Sequence, residues 1–281
     1  MTATLPDRFM PGTGIEVVRR DWTPGQFRSV LFDFDGTLSL IREGWPEVMI
    51  PMMVEILRAT GTRETESELR AIVEDFVMRL NGRQTIYQMI ELDDHVRQRG
   101  GQPSDPLDYK HQFNALLGER LKPRLVGLRS GELSREQLTV PQTHSILARL
   151  CERGMILYLA SGTDVANVRE EAALLGLTEF FGERIFGALD HYKNFSKQMI
   201  IDRILREQGL RGGELLAFGD GFVEIEEVKK VGGVAVGVAS DEIRRAGVDA
   251  WKRNRLIQAG ADIIVGDYCE QDGLLKILFD P

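Results

Sequence analysis

Two carboxylates stand two residues apart at the end of an apolar run. Val30, Leu31 and Phe32 lead into Asp33-Phe34-Asp35-Gly36-Thr37. The apolar residues read as a buried strand, and ligands of an open α/β sheet gather at the carboxyl ends of its strands. Acids released there face into a site, where a carboxylate pair can divide nucleophilic and acid–base work. Asp-Gly is also a common hairpin signal, so the stretch taken alone fits a surface turn. Its meaning depends on partners further along the chain. Ser161-Gly162-Thr163 follows the apolar run Met155 to Ala160, Lys193 and Lys197 flank a helix start, and Gly219-Asp220-Gly221-Phe222-Val223-Glu224 follows Leu215 to Phe218. Each has an ordinary alternative: the hydroxyls as helix caps, the lysines as solvated surface groups, and the acids from Glu224 to Glu227 as the first turn of a helix.

These residues need a scaffold, and the texture of the chain changes in three places. Residues 1–26 are rich in Pro and Gly around one apolar patch, Ile15 to Val18, and read as an extension with a short edge strand. From the 40s to the 120s the apolar residues recur at helical spacing. Met49, Met52, Met53, Ile56 and Leu57 form one stripe, which Pro51 should start or kink. Leu69, Ile72, Val73, Phe76, Val77 and Leu80 form a second; Ile86, Met89 and Ile90, then Phe113, Leu116, Leu117 and Leu121, form two more across the breaker run Gly100 to Pro106. From about Thr139 short apolar strands alternate with helices, which predicts a parallel sheet covered on both faces. The strand at 30–34 has no neighbour nearby and should insert into that later sheet. The expected fold is α/β: a Rossmann-like, doubly wound parallel core over 27–40 and 138–281, with an all-helical domain inserted at 41–137.

The four polar signals, in their order and types, resemble the haloacid dehalogenase superfamily. Its phosphatases carry an Asp-x-Asp-Gly-Thr motif, a Ser or Thr after a second strand, a Lys, and a Gly-Asp segment with a further acid. The resemblance spans residues 30 to about 266 and looks like the phosphoglycolate-phosphatase-like branch with a C1-type helical cap. It implies Asp33 as nucleophile through an aspartyl-phosphate, and Asp35 as general acid and then base. It implies phosphate binding by Ser161, Gly162, Thr163 and Lys197, with Lys193 as the alternative lysine; Lys197 is preferred because it opens an amphipathic helix behind Ser196. Four acids close together would repel strongly in a low-dielectric pocket, and oxygen-only ligands favour Mg²⁺. The implied ligands are Asp33, the backbone carbonyl of Asp35, and Asp220, with Glu224 where the family usually has Asp. Arg42, Glu43, Trp45 and Arg129 are candidate cap or hinge contacts.

A small phosphate monoester, such as a sugar phosphate or phosphoglycolate, is the expected substrate class. A phosphomutase like β-phosphoglucomutase would use the same motifs, and a silent phosphate-binding regulatory module would keep the fold without needing both Asp33 and Asp35. A net charge of −8 argues against a nucleic-acid partner. No apolar run reaches the roughly 18 residues of a membrane span, and the N-terminus lacks the apolar core of a secretory signal, so the expected setting is cytoplasmic. Cys151 and Cys269 are too few for a disulfide framework and are expected as core thiols. The four histidines show no close metal-ligand spacing.

Overall fold

The computed structural model describes residues 8–280. Its centre is β2 (Ser29–Phe32), in which Val30, Leu31 and Phe32 supply apolar side chains to both faces of a sheet. Val30 and Phe32 enter one hydrophobic cluster and Leu31 the other, all nearly inaccessible. Such two-sided burial is what a central parallel strand requires. Together with β1 (Glu16–Val17), β3 (Ile156–Asp164), β4 (Ile185–Ala188), β5 (Leu215–Gly219), β6 (Val234–Val238) and β7 (Ile263–Val265), it forms a seven-stranded sheet in the order β1-β7-β6-β5-β2-β3-β4. All pairs are parallel except β1 with β7. The chain runs outward from β2 through β3 and β4 on one side, then through β5, β6 and β7 on the other. The order therefore reverses between β2 and β5, where an open α/β sheet leaves a crevice at its carboxyl edge.

Four helices follow β2 before residue 131: α1 (Pro46–Arg58), α2 (Glu66–Arg79), α3 (Thr85–Gln98) and α4 (Pro106–Ser130). Their ends are locally encoded. Thr65 and Glu68 form a capping box before α2, Asp105 caps α4, and α4 stops at Gly131 in the left-handed conformation. The stripes read from sequence are the buried faces: Leu69, Val73, Phe76 and Val77 of α2, for example, are all buried. Pro51 does not start α1, which begins at Pro46 and carries Pro51 within it.

The remaining helices cover the sheet. α5 (Thr143–Glu152), α6 (Val165–Leu174), α7 (Thr178–Phe181) and α11 (Gln271–Phe279) contribute to the cluster that holds Val30 and Phe32. α8 (Lys197–Gln208), α9 (Phe222–Lys230) and α10 (Ala250–Ala259) contribute to the cluster that holds Leu31. The architecture is thus the α/β, Rossmann-like one expected, with helices on both faces.

The short edge strand expected at the N-terminal apolar patch is β1, whose Glu16 and Val17 pair with Ile264 and Ile263; the first seven residues lie outside those described. Two details differ from expectation. β3 does not end at Ala160 but continues irregularly through Asp164, so Ser161 to Thr163 lie in a distorted strand and not in a helix N-terminal turn. Both cysteines are exposed: Cys151 lies on the outward side of α5 and Cys269 in the approach to α11. Among the described residues, no helix is long and apolar enough to cross a membrane.

Candidate active site

The carboxyl ends of β2 and β5 bring Asp33 and Asp220 together, as parallel pairing of Phe32 with Phe218 requires. Asp33 donates its backbone N–H to the Phe218 carbonyl at 2.9 Å, which extends the ladder to the first acid. Its side chain meets Lys197, the first residue of α8, with Nζ to Oδ1 at 2.8 Å. Lys197 is buried and also reaches Glu224 Oε2 at 2.6 Å. Burial disfavours its charge, but Asp33 and Glu224 outweigh that and hold it above the ordinary lysine value. Burial pushes Asp33 well above the carboxylate range, with Lys197 opposing. Lys193, the alternative lysine, lies instead over the Tyr192 ring.

Glu224 is wholly buried in the first turn of α9, and both its oxygens have protein donors. Lys197 takes Oε2, and the Gly221 N–H donates to Oε1 at 2.7 Å. Its visible work is to hold Lys197 and the turn that carries Asp220.

Asp35 has different company. Thr163 Oγ1 and Ser161 Oγ donate to its Oδ2 at 2.9 and 3.2 Å. The irregular end of β3 explains this pair of contacts, because it brings both hydroxyls toward β2. Oδ1 is buried without a hydrogen bond, and the nearest cation is Arg42 at 3.8 Å. Arg42 is itself clamped by Glu171 of α6, with contacts of 2.6 to 3.1 Å. Burial raises Asp35 above its ordinary pKa, and burial pushes Glu171 to about 7 against the pull of Arg42. Within this site, Ser161 thus serves Asp35 and accepts from the Thr163 N–H at 3.0 Å.

Sequence reading missed a second lysine. Lys252 of α10 reaches Asp220 Oδ2 at 2.8 Å, Glu242 Oε1 at 2.6 Å and Ser240 Oγ at 3.2 Å. Ser240 Oγ in turn donates to the Gly36 carbonyl at 2.6 Å, and Tyr268 Oη donates to the Thr37 carbonyl at 2.9 Å. Lys252 sits in the run Lys252-Arg253-Asn254-Arg255, which reads as a solvated helix face; only its spacing from Leu256 hints that it points inward. Gly36 is required at its position: its φ is +72°, and a Cβ there would lie 2.2 Å from Asp220 Oδ2.

The helical layer closes over these groups. The turn between α2 and α3 presses its backbone on the sheet loops, so a Cβ on Gly162 would lie 2.7 Å from the Arg83 carbonyl. Arg255 of α10 grips the carbonyls of Met78, Arg79 and Asn81 at the end of α2 and stacks on Phe222. Beneath is a cavity of about 100 Å³ reaching Asp33, Asp35 and Lys197. Its wall is apolar at Trp45, Met49, Phe113 and Leu117, and polar at Asn81, Arg83, Thr85 and Gln88. Arg42 and Glu43 also line it, whereas Arg129 pairs with Glu170 away from it.

The donor set suits a hard divalent cation. Asp33, Asp220 and Glu224 each place a carboxylate oxygen within 4.8 Å of the others. Since Glu224 is committed on both oxygens, Asp33 and Asp220, each held by lysine through only one, have the capacity to spare. Oxygen-only carboxylates at this spacing are the chemistry of Mg²⁺-type sites.

Comparison with known proteins bears on the fold and the family. No curated protein matches the sequence. The fold matches a predicted phosphoglycolate phosphatase from Haemophilus somnus 129pt at 18% identity and TM-score 0.57, over 89% of this chain and 98% of that one. It also matches a HAD hydrolase, family IA, variant 3, from Entamoeba histolytica (17% identity, TM-score 0.58, 90% and 99% of the two chains). CbbY from Rhodobacter sphaeroides, solved in complex with phosphate, matches at 20% identity and TM-score 0.53, over 88% and 99%. The haloacid dehalogenase-like hydrolase family model matches residues 27–232, which include every strand-end motif described above, and the chain belongs to that family of hydrolases.

Proposed function

We propose that this hydrolase is a Mg²⁺-dependent phosphatase that cleaves a small phosphate monoester through an aspartyl-phosphate. The observation that carries the reading is the division of labour between Asp33 and Asp35. Asp33 faces a buried ammonium, whereas Asp35 is served by two hydroxyls and has an oxygen left over. In this reading Asp33 attacks phosphorus, and the bond to the leaving oxygen breaks as Asp35 passes its proton to that oxygen. The step needs a protonated Asp35 and an ionised Asp33; burial favours the first, and Lys197 opposes burial at the second. Asp35 then takes a proton from the water that attacks the acyl phosphate, freeing inorganic phosphate and restoring Asp33. Lys197 neutralises nucleophile and phosphoryl charge, and Ser161, Gly162 and Thr163 border the phosphoryl position. Mg²⁺, held by Asp33, Asp220 and the Asp35 backbone carbonyl, would shield the phosphoryl charge from the nucleophile. Glu224 supports this set by orienting Lys197.

The helical layer, roughly 41–137, acts as a cap over a core of 27–40 and 138–281. It excludes water and contacts the leaving group, for which the small, half-apolar cavity leaves limited room. The phosphate bound to CbbY and the name of the Haemophilus somnus protein support a small phosphorylated substrate.

The purified protein should release inorganic phosphate from p-nitrophenyl phosphate and from one or more of a panel of sugar phosphates, nucleotides and phosphoglycolate. Release should require Mg²⁺ and vanish in Asp33→Asn. No release, or release unchanged in Asp33→Asn, would refute the enzyme reading; interconversion of sugar-phosphate isomers without release would identify a mutase.

A further inference from the structure

We propose that Lys252 is a built-in counter-ion of the acidic site, which holds divalent-cation affinity down and phosphate affinity up. The inference rests on the reading of this site as a Mg²⁺-dependent phosphatase. Its first support is placement. Lys252 is buried, projects from α10 directly beneath the Asp33-Phe34-Asp35-Gly36 turn, and contacts Asp220 at 2.8 Å. A Cβ on Gly36 would lie 3.0 Å from its Nζ, and Gly36, Asp220 and Glu242 all line the cavity.

The second support is charge. Asp33, Asp35, Glu43, Asp220 and Glu242 line this cavity, and they outnumber the cations that line it, Arg42, Arg83 and Lys197. Arg42 adds little, being matched by Glu171. A phosphate dianion entering such a cluster is opposed even when a divalent cation is present. A fixed ammonium acts on the two ligands with opposite sign, lowering the free energy of the dianion and raising that of the cation.

The opposite signs supply the test. Mg²⁺ binding, and inorganic phosphate binding at saturating Mg²⁺, would be measured by titration calorimetry on the full chain. Lys252→Met should tighten Mg²⁺ at least tenfold and weaken phosphate at least tenfold. Lys252→Gln, which keeps a donor to Asp220 without the charge, should do the same and serves if the Met variant fails to fold. The double variant Lys252→Met/Glu242→Gln restores the net charge and should return both affinities toward wild type, which a positional role for the Asp220 contact would not. Parallel weakening of both ligands, no change in either, or a double variant that behaves as Lys252→Met would each overturn the proposal and leave the phosphatase reading standing. Wild-type protein that binds no Mg²⁺ would overturn both.

Discussion

Asp33 and Asp35 leave the same strand end, yet the residues that meet them come from different elements. α8 supplies an ammonium to the first, and the irregular end of β3 supplies hydroxyls to the second. If Asp35 is the proton donor, its importance should scale with how badly the leaving group needs a proton. Asp35→Asn should lower kcat/KM for an alkyl phosphate by about 10²–10⁴-fold, the usual worth of general acid–base catalysis. The loss should be smaller with p-nitrophenyl phosphate, whose phenolate leaves readily; equal losses on both substrates would contradict the assignment. Gly36 gives a sharper structural prediction. Ala there must adopt a left-handed conformation and place a methyl against Asp220. The backbone strain alone is worth about 1–2 kcal/mol, so Gly36→Ala should lower the urea midpoint accordingly and also reduce turnover.

At the scale of elements, helix stripes and strand runs were legible because each reports a local period against a buried face. Contacts made across elements left weaker traces. Lys197 could be favoured over Lys193 from the cap Ser196 and the amphipathic helix it opens, a pattern confined to one segment. Lys252, Glu171 and Arg255 could not, since their partners lie on other elements and their own surroundings read as solvated helix. The irregular continuation of β3 escaped for a related reason: Ser161-Gly162-Thr163 has the composition of a turn, and only pairing with β4 draws it into the sheet. Arg255 shows what such a contact does. Its guanidinium satisfies carbonyls at the end of α2 that have no partner within the helix. Arg255→Ala should therefore accelerate hydrogen exchange selectively at the amides of 80–84, while β5 stays protected. Uniform acceleration across both would mean that Arg255 supports global stability and not the turn over the site.

Across the whole molecule, the helical insert and the sheet share one hydrophobic cluster. Met49, Phe76, Met89 and Phe113 from α1 to α4 belong with Phe32, Leu147 and Leu275 from the sheet layer. Polar ties cross the same boundary: Lys110 of α4 meets Asp164 at 2.5 Å, and Gln84 donates to the Phe195 carbonyl at 2.7 Å. The long-range return of β2 to strands more than a hundred residues later was foreseen from its isolation, whereas the continuity of this core was not, because composition does not show which stripes face one another. The continuity has a thermal consequence. A helical layer with a private core would melt separately, but one that shares its core exposes that core as soon as it leaves. The protein should show one calorimetric transition, with van't Hoff and calorimetric enthalpies in agreement. Because the cavity is walled by both layers, a ligand that fills it is bound only while both are in place. Mg²⁺ with phosphate at about 100 times its dissociation constant should stabilise the fold by about 2.7 kcal/mol. For a chain of this size that corresponds to a rise of about 5 °C or more in Tm. The single transition should move as a whole; a ligand-dependent peak beside an unshifted one would show that the layers unfold independently.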